Sequence, residues 1–164
     1  MDTSYTDYPK LPAQLKVIVT GGMSGIGSSQ VQHFLEKGHR VLAVDLKEDA
    51  ELVNKWTTSY PENFSFRKAD CNDLMAVTIL FQELKTSWNA IDVLCNTAGV
   101  LDDYKPLDQT DPTTWQTIIS SNLQVVYNMT YTALPMLLTN PTSRLINMAS
   151  IAGLTAGGGG IAYT

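Results

Sequence analysis

The chain has 164 residues, 44% of them hydrophobic and 16% charged, with a formal net charge of −5. That length suits one domain able to bury about 70% of the surface its unfolded form exposes, and the composition excludes a disordered or collagen-like chain. An acidic balance without a basic run argues against nucleic-acid and anionic-membrane partners.

Residues 1–14 read as an irregular arm carrying Pro9 and Pro12. Lys16-Val17-Ile18-Val19-Thr20 is a short apolar run that ends in Gly21-Gly22, the pattern of a strand buried on both faces. From Gly25 to Lys37 the residues Ile26, Val31, Phe34 and Leu35 recur at helical spacing, and Gly38 is a stop. Arg40–Asp45 predicts a second strand and 48–59 a second helix. Phe64–Ala69 alternates, as an edge strand does, and Asp73 is placed to cap a helix running to about Trp88. Ile91–Cys95 is a fourth strand. Pro112 fits the first turn of a long helix reaching about Leu138, kinked at Pro135, and Arg144–Ala149 is the last strand. Five alternations of strand and helix predict an α/β fold, a doubly wound parallel sheet of order 3-2-1-4-5. In such sheets ligands bind at the carboxyl ends of the strands, where Gly21, Asp45, Asp70, Asn96 and Ser150 fall.

Cys71 and Cys95 are assigned to the third and fourth strands, which are not neighbours, so they are expected as core thiols rather than a disulfide. Neither they nor His33 and His39 have metal-ligand spacing, and no metal site is expected. No apolar stretch approaches the roughly 18 residues a membrane span needs, and the polar, acidic first ten residues are unlike a signal peptide. A cytoplasmic protein is the simplest expectation.

Thr20-Gly21-Gly22-Met23-Ser24-Gly25-Ile26-Gly27 joins the first strand to the first helix. Glycines let the backbone turn sharply, and a helix N-terminus offers free N–H groups and about half a positive charge, enough to hold a pyrophosphate without Lys or Arg. The loop carries neither cation, so it lacks the lysine that a triphosphate-hydrolysing loop needs. Asp45 ends the second strand 18 residues after Gly27. A carboxylate there accepts hydrogen bonds from both ribose hydroxyls and repels a 2′-phosphate, which favours NAD over NADP, with Lys47 a counter-signal. A methyltransferase also places an acid at this strand end, but it does not explain Asn96, Ser150 and Tyr163 together.

These residues resemble the short-chain dehydrogenase/reductase family over nearly the whole chain after residue 14. The resemblance rests on the turn Thr20–Gly27, on Asp70, on Asn96-Thr97-Ala98-Gly99 (Thr standing where the family has a second Asn), on Asn122, on Ser150 and on Tyr163 thirteen residues later. It implies a Rossmann-type dinucleotide-binding domain over 15–164 and hydride transfer between a nicotinamide and a small-molecule alcohol or carbonyl substrate. The implied cofactor-binding set is Gly21, Ser24, Gly25, Ile26, Gly27, Asp45, Asp70, Cys71, Asn96, Ala98 and Gly99. The implied catalytic set is Asn122, Ser150 as stabiliser of the substrate oxygen, and Tyr163 as acid and base. A homodimer or tetramer through the helix at 112–138 is also implied.

The family carries a lysine four residues after the tyrosine, whereas this sequence stops at Thr164. The expectation is therefore a chain truncated after the catalytic tyrosine, with much of the cofactor site and little turnover. Near a chain end and behind Gly157–Gly160, Tyr163 is expected to be loosely held. The alternative is a non-catalytic dinucleotide-binding or dimerisation module.

Overall fold

A computed structural model describes residues 10–155 and 157–164, so most of the predicted N-terminal arm and Ala156 lie outside the described residues. Its elements in chain order are β1 (Lys16–Thr20), α1 (Gly25–Glu36), β2 (Arg40–Asp45), α2 (Ala50–Ser59), β3 (Phe64–Lys68) and α3 (Leu74–Leu84). β4 (Val93–Asn96), α4 (Pro112–Ile119), a π-helical turn (Ser120–Gln124), α5 (Val125–Leu137) and β5 (Arg144–Asn147) follow. All pairings are parallel, and the sheet order is β3-β2-β1-β4-β5. The alternation of hydrophobic runs with helical periods thus produces the expected doubly wound architecture.

β1 shows why the apolar run had to be central. Val17, Ile18 and Val19 are fully buried. Because strand side chains alternate, Val17 and Val19 face a layer with Val31, Leu35 and Trp56 of α1 and α2. Ile18 faces the opposite layer with Val77, Phe81, Met129 and Ala133 of α3 and α5. Complete burial of each such side chain contributes about 1.5–3 kcal/mol. β3 lies at an edge, with Ser65, Arg67 and Lys68 exposed, in keeping with its alternating pattern.

Helix starts follow local chemistry. Asp49 accepts from Leu52 N, Asp73 from Met75 N and Ala76 N, and Asp111 from Thr113 N and Thr114 N, with Pro112 in the first turn. Two expectations need correction. Cys71 is not in the third strand: β3 ends at Lys68, opposite Asp45, and Cys71 sits in the turn before Asp73 caps α3. The helix expected over 112–138 runs unbroken from Pro112 to Leu137 but is not α-helical throughout: a π turn lies between α4 and α5 around Asn122. No described helix is long and apolar enough to cross a membrane.

Candidate functional site

The strand ends converge as the topology requires. The glycine turn follows β1, Asp45 ends β2, and Gly99 follows β4, so all three meet around the divergence of β1 and β4. Gly21 has φ +66°, and a Cβ there would lie 2.9 Å from Ala98 Cα. This position therefore needs glycine for both conformation and closeness. Gly27 packs its Cα directly against the Gly21 carbonyl, so that a Cβ would overlap it. The start of α1 is thereby pressed onto the end of β1.

Ser24 caps α1 only through its backbone: its side chain makes no capping bond, and no acid stands in the first helical turn. Gly25 has φ +50°, and a Cβ there would meet nothing within 4 Å. The N-terminus of α1 thus opens onto free space with its charge uncompensated, the environment an anion requires.

Asp45 closes one side. Its Oδ2 accepts from Met23 N at 3.0 Å and its Oδ1 from Lys47 N at 3.0 Å. A carboxylate has about four acceptor positions, so two main-chain bonds leave capacity for a ligand diol. Beside it lies a cavity of about 260 Å³ lined by Gly21, Ser24, Asp45, Asp70, Cys71 and Asn72, with Ala98, Gly99 and Val100 on the far wall. Cys71 is buried in that wall. Burial, followed by the charges of Asp70 and Asp45, pushes its thiol up to about 12, and burial pushes Cys95 up to about 11. Both cysteines are free and hold their protons, so neither is a nucleophile at neutral pH.

A second cavity, of about 650 Å³, shares the Ala98–Val100 wall. It holds Asn122, Ser150 and Tyr163 together with Ile26, among apolar neighbours including Leu101, Trp115, Ile118 and Met148. Ser150 Oγ accepts from Ala152 N at 3.2 Å, which leaves its hydroxyl hydrogen available to donate. Asn122 reaches out of the π turn: Oδ1 accepts from Val100 N and Nδ2 donates to Val100 O, both at 2.9 Å, with a further bond to Ile118 O at 3.0 Å. Its amide therefore acts as a short strand for the Gly99–Val100 segment. The π turn puts it there, as such turns often do at functional sites.

The two cavities bring together every predicted site residue except three. Gly25 and Gly27 shape the turn without lining a cavity. Asn96 is buried, its Nδ2 donating to Thr130 Oγ1 and Asn147 Oδ1, so its side chain joins β4 to α5 and β5.

Of the buried polar residues given no role from sequence, three bear on these cavities. Thr20 Oγ1 accepts from both Thr97 N and Ala98 N at 3.0 Å, clamping the loop after β4 onto β1. Asn128 Nδ2 donates to Cys71 O at 3.0 Å and Asn72 O at 2.9 Å, so α5 carries the floor of the smaller cavity. The only sequence signal for Asn128 is a polar residue at a position where α5 faces the core. Alanine at 128 would strand two buried carbonyls, at a cost of about 1–3 kcal/mol. A calorimetric melt of Asn128→Ala is expected to show a midpoint lowered by about 2–4 °C for each kcal/mol.

The third is Asp102, 3% exposed, in the loop after β4. Its burial acts to raise the carboxyl pKa. Hydrogen bonds from the main-chain N–H groups of Gly160, Tyr163, Ala162 and Tyr104 outweigh that and hold it below the ordinary aspartate range. Among the described residues, no cluster of three or more His, Cys, Asp and Glu could hold a metal ion.

A doubly wound parallel sheet with a glycine turn at β1 and a carboxylate with spare acceptor capacity at the end of β2 defines the Rossmann-like nucleotide-binding class. The family model described as short chain dehydrogenase matches residues 15–164, and the chain belongs to that family of oxidoreductases. It is 35% identical over 158 residues to a 3beta-hydroxysteroid dehydrogenase of Eggerthella lenta, covering 95% of this chain and 60% of that protein. It is 28% identical over 147 residues to an NADP-dependent 3-hydroxy acid dehydrogenase of Shigella flexneri, covering 90% and 58%. A short-chain dehydrogenase from Streptomyces avermitilis superposes with a TM-score of 0.84 at 19% identity, over 92% of this chain and 54% of that one. The chain thus spans about 60% of the length of the curated relatives it matches.

Proposed function

We propose that the chain is an NAD-linked oxidoreductase of alcohol and carbonyl compounds, with Tyr163 as proton donor and acceptor and Ser150 as hydrogen-bond donor to the substrate oxygen. The observation that carries this is the pairing of two adjoining cavities, one ending on Asp45 and the other on Ser150 and Tyr163. The site fits a dinucleotide: the uncapped Ser24, the open space at Gly25 and the close approach of Gly21 to Ala98 leave a cradle of main-chain N–H groups. Gly21–Gly27 would hold the diphosphate, Asp45 the ribose, and Asp70 with Cys71 the adenine end. When bound, the nicotinamide supplies or accepts a hydride.

The chain's own residues manage the oxygen and its proton. In reduction the Tyr163 hydroxyl donates a proton to the substrate oxygen, and in oxidation it takes one back. The Ser150 hydroxyl donates to the same oxygen and shares its developing charge. Asn122 holds the Gly99–Val100 wall between the two cavities. The exposed side chains Tyr127, Tyr131, Leu134 and Leu138 on or beside α5 support self-association through this region.

NAD is preferred because the 2′-phosphate of NADP would have to lie against Asp45, with Asp70 also in the cavity and Lys47 the only cation lining it among the described residues. The Shigella relative is NADP-dependent by name, and what supports NAD in this chain is Asp45 at its own strand end. Calorimetric titration is expected to show saturable heat with NAD and weaker binding of NADP. Asp45→Ala is expected to weaken NAD about 10–100-fold, the range for hydrogen bonds to a charged group, and to narrow the gap to NADP. Absence of heat with either coenzyme at millimolar concentration would overturn the proposal.

A further inference from the structure

We propose that Asp102 is a positioning residue, its carboxylate holding Tyr163 over the larger cavity. This deepens the oxidoreductase reading and rests on it for the role of Tyr163. The two residues are 61 positions apart, yet the Tyr163 main-chain N–H donates to Asp102 Oδ2 at 3.0 Å. Ala162 N donates to the same oxygen at 3.0 Å, and Gly160 N donates to Oδ1 at 2.7 Å. One buried carboxylate thus gathers three N–H groups of a single turn, and charge-assisted bonds of this kind are stronger than neutral ones.

The opposing loop is shaped for the task. Asp103 and Tyr104, immediately after Asp102, have φ of +55° and +58°, a left-handed conformation that a tyrosine rarely adopts. That bend brings Lys105 round so that its carbonyl accepts from Ile161 N at 3.1 Å. Gly160 is wedged between the two: a Cβ there would lie 2.5 Å from Lys105 N and O and 2.6 Å from Asp102 Oδ2. Gly159 in turn lies under the tyrosine ring, 2.5 Å from a Cβ position to Tyr163 Cδ1. The segment expected to be loose is therefore docked on both its main chain and its aromatic ring. Asp102 does not line either cavity at the site, so it acts through Tyr163 rather than on a substrate.

Asp102→Asn keeps the shape but offers one acceptor oxygen where three donors divide between two. Amide hydrogen exchange followed by NMR on the 164-residue chain is expected to quicken about tenfold or more at Gly160, Ala162 and Tyr163, with the sheet amides of Ile18 and Leu94 unchanged. In an alcohol-oxidation assay kcat is expected to fall about tenfold or more, with the KM for NAD held within about twofold. Gly160→Ala, which displaces the same turn from the other side, is expected to reproduce this pattern and serves if Asp102→Asn does not fold. Unchanged exchange at 160–163, faster exchange across the sheet as well, or a released turn with unchanged kcat would overturn the proposal. A parent chain that binds no NAD and shows no turnover defeats the oxidoreductase reading alone. In that case the exchange pattern decides whether Asp102 holds the tyrosine.

Discussion

Gly27→Ala is expected to abolish measurable dinucleotide binding and to lower stability, whereas Gly25→Ala is expected to abolish binding while leaving the fold nearly intact. The contrast follows from what each new methyl group meets. At Gly27 it overlaps the main-chain oxygen of Gly21, a rigid obstacle that no rotamer change relieves. Helix α1 must then back away from β1, and such overpacking costs about 1–3 kcal/mol or more. The N–H groups of the turn move with it. At Gly25 the methyl enters empty space, and the chain bears only the left-handed backbone penalty of about 1–2 kcal/mol. That empty space is where a diphosphate would sit against the end of α1, so the same methyl obstructs the ligand. The measurement is a pair of calorimetric experiments, a thermal melt and a titration with NAD, on each variant. Binding by Gly25→Ala at the parent's affinity would place the diphosphate elsewhere and remove the main support for the cofactor site.

The architecture was legible because its signals are local. Burial on both faces forces Val17-Ile18-Val19 to read as an unbroken apolar run, and edge position forces the alternation of Phe64 to Lys68. Asp73 announces a helix start within three residues of the amides it caps, and Pro112 announces another from the first turn of α4. The glycine turn and Asp45 were legible for the same reason, since each closes a strand whose pattern is already clear. What escaped depends on partners far along the chain. The π turn forms where Asn122 can bond both main-chain groups of Val100, 22 residues earlier, and no periodicity of 112–138 records that. Thr20 looks like the last residue of a β-branched run, yet it satisfies two amides 77 and 78 residues on. The expectation of a free Tyr163 weighed Gly157–Gly160 by their intrinsic freedom. Gly160 is instead small because Asp102 and Lys105 press against it. Composition speaks of local entropy, and a buried carboxylate that arrives from a distant loop overrides it.

Tyr163→Phe is expected to reduce alcohol oxidation by about 10²–10⁴-fold, the range for loss of a positioned acid or base, without weakening NAD. The substitution is clean by geometry. Phenylalanine keeps the ring that rests against Gly159 and the N–H that donates to Asp102, so the turn stays docked. Tyr163 does not line the cavity beside Asp45, so the adenosine end of the site is untouched. Ser150→Ala is a harsher test of the same chemistry, since it removes the hydroxyl that would donate to the substrate oxygen and also the acceptor of the Ala152 N–H. A loss of about 10²–10³-fold is expected there, with some loosening of the turn that follows. If the phenylalanine variant turned over as fast as the parent, the proton would have to come from elsewhere. Asn122 cannot supply it, because its amide is committed to Val100 and Ile118. Both cysteines hold their protons far above neutral pH. An active Tyr163→Phe chain would therefore leave a remaining hydroxyl of this cavity, Ser150 first, or a group outside it as the proton source, and the double variant with Ser150→Ala decides between them.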